Sequence, residues 1–484
     1  MHEIITLQLG NFSNYTAAHF WNVQESYFTY GSQEESQIDH NVHWRAGIGT
    51  DGNETFLPRT VIYDLKGGFG ALRKVNPLYD PVATETSDVN NSLWFGQPTV
   101  HKRNPIQQNP FQQSLDAGTK PPPLNESTVR YWSDYSRTYL HPKSLVQVYD
   151  FDHDSAIQPF ERFEMGTELF NSLDKEHDIV DRDWRPFVEE CDLIQGIQVF
   201  ATFDDAWGGF ASSYLEALRD EYPKTCIWLW GLQNPITQAG RQKRQLRLAN
   251  TAQTLHQACA QASMVVPIAL QEGSLTPNAK INYVSPWHVS TLVSAATETA
   301  LLPSRIRHSL TRASLGDTAR ILNATGSQTL ALAGLKLFPE ATEHGKKDDD
   351  EVIWFPIAQE HRTRQQRNRI HAQVTSYRGP GTGESDQQRA TTDELNRDLA
   401  NRPTTINLSD AKLVTTRHSS SQFWTASPKY LFGQLTDAVY GCRSQVTQLF
   451  DTNEREFLSN GIAEIADAYR DDWSSGSDED ADEL

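Results

Sequence analysis

Cysteine is scarce in this chain: Cys191, Cys226, Cys259 and Cys442 are the only four among 484 residues. Widely spaced, they match neither a zinc-binding nor a dithiol-redox pattern, and the expectation is reduced, mostly buried thiols. No apolar run approaches the roughly 18 residues that a bilayer span requires. The most apolar short stretch, Met264–Leu270, contains Pro267. The opening MHEIITLQLGNF has neither a secretory n-region nor the Arg-rich, acid-poor character of a transit peptide. Basic residues are outnumbered, 43 Lys and Arg against 62 Asp and Glu, for a net charge of −19. That balance argues against a direct nucleic-acid partner, because phosphate binding needs a basic face. More than a third of the excess lies between Asp471 and Leu484, where seven residues are acidic and none is basic. The fifteen histidines form no H-x-x-x-H or H-x-x-E-H arrangement, and Gly-x-Ser-x-Gly is absent.

What is present is organised around the stretch from Cys191 to Pro223. An apolar run (Leu193, Ile194, Ile197, Val199, Phe200, Phe203) predicts a strand, and a turn carrying Gly208 and Gly209 follows. Tyr214, Leu215 and Leu218 then give a helix its apolar stripe. In many α/β proteins this layout puts a phosphate on a helix N-terminus. Here the turn reads Phe203-Asp204-Asp205-Ala206-Trp207-Gly208-Gly209-Phe210. A carboxylate about 4 Å from a phosphate oxygen is opposed by roughly 4 kcal/mol at an effective dielectric near 20. Two such groups beside a Trp cancel most of what a helix N-terminus offers, so the scaffold is that of a nucleotide fold and the site is not.

The rest of the chain fits an α/β protein of two or three domains. Glu3–Leu9 predicts a buried strand, Gly10 to Asn14 a turn, and Ala17, Ala18, Phe20 and Trp21 a helix. Asn41–Ala46 and Pro58–Leu65 read as strands, the second ending at Asp64 and the flexible Lys66-Gly67-Gly68. From Asp80 to Pro123 the composition predicts long loops. Further strands are expected at Leu145–Tyr149, Thr225–Trp230 and Ile370–Tyr377, with Thr329–Leu337 a strand or short helix. Amphipathic segments cover Phe160–Leu173, Asp178–Glu190, Ser290–Leu302, Phe432–Phe450 and Glu454–Tyr469. Arg241 begins a helix through Leu248, Leu255 and Ala258, and its basic cluster (Arg241, Lys243, Arg244, Arg247) reads as a solvated face. Asp150, Asp152, Asp154 and Glu161 approach a calcium-loop spacing, but Ser155 stands where Gly makes the turn and Pro159 interrupts; a solvated acidic loop is expected.

With those elements in place, the chain resembles tubulin. MHEIITLQLGNFSNYTAAHFW is similar to a tubulin N-terminus, and Leu57-Pro58-Arg59-Thr60-Val61-Ile62-Tyr63-Asp64-Leu65 to its V-P-R-A-x-x-x-D-L segment. Cys191-Asp192-Leu193-Ile194-Gln195-Gly196, Leu218–Pro223, Tyr377-Arg378-Gly379 and an acidic C-terminal tail follow in the same order. The departures fall at the nucleotide loops. Asp204–Phe210 replaces G-G-G-T-G-S-G, Phe12 replaces a Cys, and Lys66 stands where tubulins carry an acid that helps hold magnesium. The segment after Phe95-Gly96-Gln97 reads Pro98–Arg103, and Leu315-Gly316-Asp317-Thr318 is the nearest approach to the hydrolytic G-x-x-N-x-D-x-x-E loop.

With the Trp132-Ser133-Asp134-Tyr135 segment and the Pro-rich break before it, the chain resembles the Misato family, in its fungal branch. The resemblance implies a tubulin-like, parallel-sheet Rossmann-type nucleotide-domain fold, followed by a smaller α+β domain and C-terminal helices. Expected boundaries are 1–118, 119–270, 271–430, 431–470 and a disordered acidic tail at 471–484. It also implies a non-enzymatic role in partitioning mitochondria and mitochondrial DNA, on the cytosolic face of the mitochondrion and in the cytoplasm. Tubulin, a chaperonin or mitochondrial surface proteins are the partners it implies. No catalytic residue, cofactor or metal is expected, and degenerate nucleotide loops are assigned at Gly10, Asn11, Phe12, Asp64, Asp204, Asp205, Gly208 and Gly209. The alternative is a GTP-binding, filament-forming GTPase with an unusual site.

Overall fold

A strand buried along its whole length needs covering on both faces, and Glu3–Leu9 is buried at all seven positions. In the computed structural model this strand, β1, lies inside a six-stranded parallel sheet. The structure describes residues 3–28, 36–48, 52, 54–72, 106–234, 240–270, 282–307, 312–323, 325–338, 351–354, 370–378, 407–408, 418–426, 435 and 451–469. After β1 come α1 (Asn11–Glu25), the hairpin β2 (Trp44–Ile48) and β3 (Glu54–Pro58), β4 (Thr60–Lys66), α2 (Pro110–Asp116), β5 (Leu145–Asp152) and α3 (Phe163–His177). A π-helical turn at Val180–Trp184 leads into α4 (Arg185–Glu189), β6 (Ile194–Thr202), α5 (Ala206–Glu221), β7 (Cys226–Leu232), α6 (Arg241–Gln261) and β8 (Met264–Ile268). Then follow α7 (Pro286–Leu301), α8 (Leu315–Leu322), β9 (Leu332–Phe338), β10 (Glu351–Trp354), β11 (Ile370–Arg378), β12 (Asn407–Leu408), β13 (His418–Ala426) and α9 (Thr452–Asp467).

The sheet order is β5-β4-β1-β6-β7-β8, every pair parallel. Strands are added outward from β1 on one side as β4 and β5, and on the other as β6, β7 and β8. The order therefore reverses between β1 and β6, and the crevice at the carboxyl ends of those two strands is where such sheets bind ligands. On one face Leu169 and Phe170 of α3, Phe210, Tyr214 and Leu215 of α5, Leu255 of α6 and Leu458 and Ile462 of α9 pack over Ile5, Leu7 and Leu9. On the other, Phe20 and Trp21 of α1, Val293 and Ala296 of α7, and Leu315 and Leu322 of α8 cover Ile4 and Phe200. Each such apolar side chain contributes about 1.5–3 kcal/mol when fully buried. A second sheet, ordered β10-β9-β13-β11-β12, joins this second core through Ala333, Leu335 and Val374. The first sheet meets its lead-in at the bridge between Val265 and Leu330, and the Tyr469 hydroxyl, just past α9, bonds both the N–H and the carbonyl of Leu330.

Several expectations change. The turn drawn from Gly10 to Asn14 is helical from Asn11 onward. Pro58 closes β3 and Thr60 opens β4, so the segment read as one strand is the corner between two, with Arg59 N donating to the His43 carbonyl. Within the loops expected up to Pro123, Asn109 caps α2. Gly208 and Gly209 are not in a turn: Asp205 caps α5 and both glycines lie in its first turn. Their use is close approach. A Cβ on Gly209 would overlap the Phe163 carbonyl oxygen, and one on Gly166 of α3 the Ala206 carbonyl oxygen, so two bare helix surfaces meet where α3 crosses α5. The expectations at Pro98–Arg103, 471–484 and, apart from Leu435, 432–450 lie outside the described residues.

Gly209→Ala and Gly166→Ala should therefore each destabilise by about 1–3 kcal/mol or more despite alanine's better helix propensity. Gly316→Ala in α8, where the nearest atom to an added Cβ is 3.8 Å away, should be neutral or slightly stabilising. Equilibrium denaturation of the three variants checks this, and equal effects at all three would contradict the close-crossing account.

Candidate functional site

At the reversal point between β1 and β6, Gly10 ends β1 with φ +93°, and its amide donates to the Tyr63 carbonyl at 3.3 Å. The indole of Trp207, from the first turn of α5, lies directly against it. A Cβ on Gly10 would come within 2.6 Å of Trp207 Cδ1. Trp207 is only 3% exposed and packs edge-on against Phe160 and Phe210, each at 5.4 Å between ring centres. The crevice that the sheet topology creates is thus closed by aromatic packing. Phe12 points the other way, into the core under α1 and α7, while Asn11 is half-buried at the first position of α1.

The two aspartates have separate tasks. Asp205 Oδ1 accepts from the Trp207 amide at 2.9 Å and from Thr202 Oγ1 at 2.8 Å, which satisfies the start of α5. Burial, and then the neighbouring Asp204 charge, push the Asp205 carboxyl up to about 7. Asp204 is 2% exposed, and its carboxylate accepts from the Asn234 amide at 3.2 Å and from Asn234 Nδ2 at 2.9 Å. Arg247 Nε lies 3.4 Å from its Oδ2. Burial raises the Asp204 carboxyl as well, against Arg247 and Asn234, which favour its charge.

A third carboxylate closes the β4 end. Asp64 is fully buried and accepts from Asn14 Nδ2 at 2.9 Å, Trp132 Nε1 at 2.9 Å and the Leu65 amide at 2.9 Å. Burial raises its carboxyl against those three donors and the nearby His153. Lys66 pairs with Asp152 at 3.0 Å. Gly10, Asp64, Asp204 and Asp205 therefore share one edge of the sheet, while Gly208 and Gly209 face neighbouring helices and Phe12 the opposite core.

The residues that complete this edge were not assigned to it from sequence. The loop standing at the end of β5 is His153–Phe160, and β5 is the strand beside β4. Arg247 was read as part of a solvated face, yet its side chain is 18% exposed and ion-paired. Trp132 belongs to a segment that carried the family resemblance and no site assignment, and Asn234 carried no signal at all. The near-calcium spacing is dispersed: Asp150 and Asp152 lie in β5, Asp152 pairs with Lys66, and Glu161 pairs with Lys243 at 2.5 Å. Asp317 is the third residue of α8 and shares a reciprocal capping box with the cap Ser314, which holds its carboxyl below the usual range. Among the described residues no three His, Cys, Asp or Glu side chains gather as a metal site, and no helix is long and apolar enough to cross a membrane. Cys191, Cys226 and Cys259 are free thiols, pushed up to about 11, 11 and 12 by burial.

Comparison with known proteins matches residues 2–117 to a Misato Segment II tubulin-like domain and residues 121–306 to a tubulin domain. The chain is similar to Protein DML1 of Gibberella zeae, 48% identical with all of both chains covered. It is similar to Protein dml-1 of Neurospora crassa, 40% identical over 99% of each. Protein misato homolog 1 of Pongo pygmaeus is 28% identical over 73% of this chain and 68% of its own.

The raised Asp205 carboxyl has a signed consequence. The folded chain keeps a proton there from 3.8, the ordinary value, up to about 7, whereas the unfolded chain has released it. Stability from this group therefore falls as pH rises through that window and is level above it. Asp205→Asn keeps the cap and removes the titration, so denaturation midpoints between pH 4 and 8 should show a flatter decline and equal or higher stability at pH 8. An unchanged pH profile would contradict the assignment.

Proposed function

This chain belongs to the Misato family of tubulin-like proteins, and from that membership we propose that it is a non-enzymatic member acting in the partitioning of mitochondria and the inheritance of mitochondrial DNA. Its work is done through surfaces of the fold, against protein partners: tubulin, a chaperonin or proteins of the mitochondrial surface. It acts from the cytosolic face of the organelle and in the cytoplasm. The observation that carries the non-enzymatic part is the Trp207 indole seated on Gly10 at the reversal point of the sheet. A nucleotide phosphate brought to that place would displace the ring and face Asp204, Asp205 and Asp64. The mitochondrial part is supported by the family resemblance alone.

The competing reading is a GTP-binding, filament-forming GTPase, favoured by the parallel sheet with Gly10 just past its β1 strand and Asn14 of α1 bonded to Asp64. Titration of the purified chain with a fluorescent GTP analogue and magnesium separates the two. No binding at micromolar concentrations is expected. Micromolar, magnesium-dependent binding, strengthened by Asp204→Gly with Asp205→Gly, would favour the GTPase. For the cellular role, a tagged chain on isolated mitochondria should be degraded by added protease without lysis of the organelle. Depletion should unbalance mitochondrial DNA between daughter cells, and normal partitioning after depletion would remove the mitochondrial assignment.

A further inference from the structure

The basic cluster that opens α6 sits where its charge is least welcome. Cations at a helix N-terminus oppose the macrodipole, yet Arg241, Lys243, Arg244 and Arg247 occupy the first two turns, and the first turn holds no acidic residue. Because α6 follows β7 in a parallel sheet, those turns stand on the ligand-binding edge, beside the end of β6. An anion is what the placement calls for, and the chain supplies its own. Glu161 meets Lys243 at 2.5 Å and Asp204 meets Arg247 at 3.4 Å. Farther along α6, Asn250 Nδ2 donates to the backbone carbonyls of Glu161 at 2.7 Å and Asp204 at 3.1 Å, tying both acid-bearing segments to the helix.

Of the two, Asp204 is the enclosed one. Its carboxylate, 2% exposed, receives a backbone N–H and a side-chain amide from Asn234 together with the Arg247 guanidinium. Backbone amide, carboxamide and guanidinium are the donor set of an oxyanion site. We propose that Asn234 and Arg247 form such a site at the edge of the sheet and that the chain fills it permanently with the Asp204 carboxylate. The ligand class is a small oxyanion, carboxylate or phosphate, and the site opens to solutes once the internal occupant is removed. This deepens, and rests on, the reading that no nucleotide occupies this edge.

Deleting the carboxylate and returning it in solution tests the idea. Asp204→Ala in the full chain should lower Tm by roughly 5–10 °C, because it takes the buried carboxylate away from the Asn234 donors and the Arg247 guanidinium. Sodium formate at tens of millimolar should recover about half of that loss, whereas sodium chloride at equal ionic strength should not. Inorganic phosphate shows whether larger oxyanions fit. The wild-type chain should respond alike to all three salts, and Asp204→Ala combined with Arg247→Met should lose the formate response. No rise beyond that in chloride, or an equal rise without Arg247, would overturn the proposal. Should Asp204→Ala not fold, Asp204→Asn and Arg247→Met serve instead. Their double variant should lose no more than the larger single, and additive losses would count against a shared site. A wild-type chain that binds the GTP analogue would undo the functional reading and leave the formate experiment standing; a missing formate response would do the reverse.

Discussion

One contact governs the carboxyl edge of the parallel sheet: the Trp207 ring lying on the bare backbone of Gly10. A parallel sheet whose strand order reverses leaves a crevice between the two central strands. That gap must hold a ligand, water or side chains. Gly10, at φ +93° and without a Cβ, lets another group approach the backbone closely. Here the approaching group is an indole, supported by Phe160 and Phe210. The same ring occupies the start of α5, so the helix N-terminus is turned from an anion site into part of the core.

Around that ring the three buried carboxylates are matched within the chain. The amide that opens α5 is taken by Asp205, the donors beyond β7 by Asp204, and Asp64 is answered by Asn14 and Trp132. Each carboxylate at this edge has protein donors where a nucleotide fold would leave room for phosphate, metal or water. Burial still pushes all three carboxyls upward, because amide donors replace only part of the hydration that a charge loses. The edge therefore titrates without being open. Stability and the filling of the crevice beside Gly10 come from one substitution of contents: side chains of this chain in place of a bound molecule.

That economy leaves the outer surfaces as the parts of the fold free to work, as the proposed role through protein contacts requires. The relatives in Gibberella zeae and Neurospora crassa align over essentially the entire chain. The tubulin-like fold of this chain has a two-sided core, a crossing of α3 and α5 on facing glycines, and a closing helix anchored by Tyr469 on Leu330.

The α/β class was legible because buried parallel strands are continuous apolar runs: Glu3–Leu9 and Cys226–Leu232 fall within a residue or two of where composition puts them. The amphipathic stripe of α5 was legible for the same reason, and so was the place of Asp204 and Asp205 at its start. Element ends were harder. Gly208 and Gly209 look like a turn in isolation but lie in the first turn of α5, where bare surface lets Thr254 of α6 and Phe163 of α3 come close. What the sequence by itself determined is which residues must be buried, since periodicity records faces. Only the tertiary structure decided that β5 sits beside β4 and brings the His153–Phe160 loop to the edge, and that Arg247 reaches Asp204. Such partners are separated by tens of residues, and they meet through strand order and helix crossing, which no local pattern of apolar and polar residues encodes.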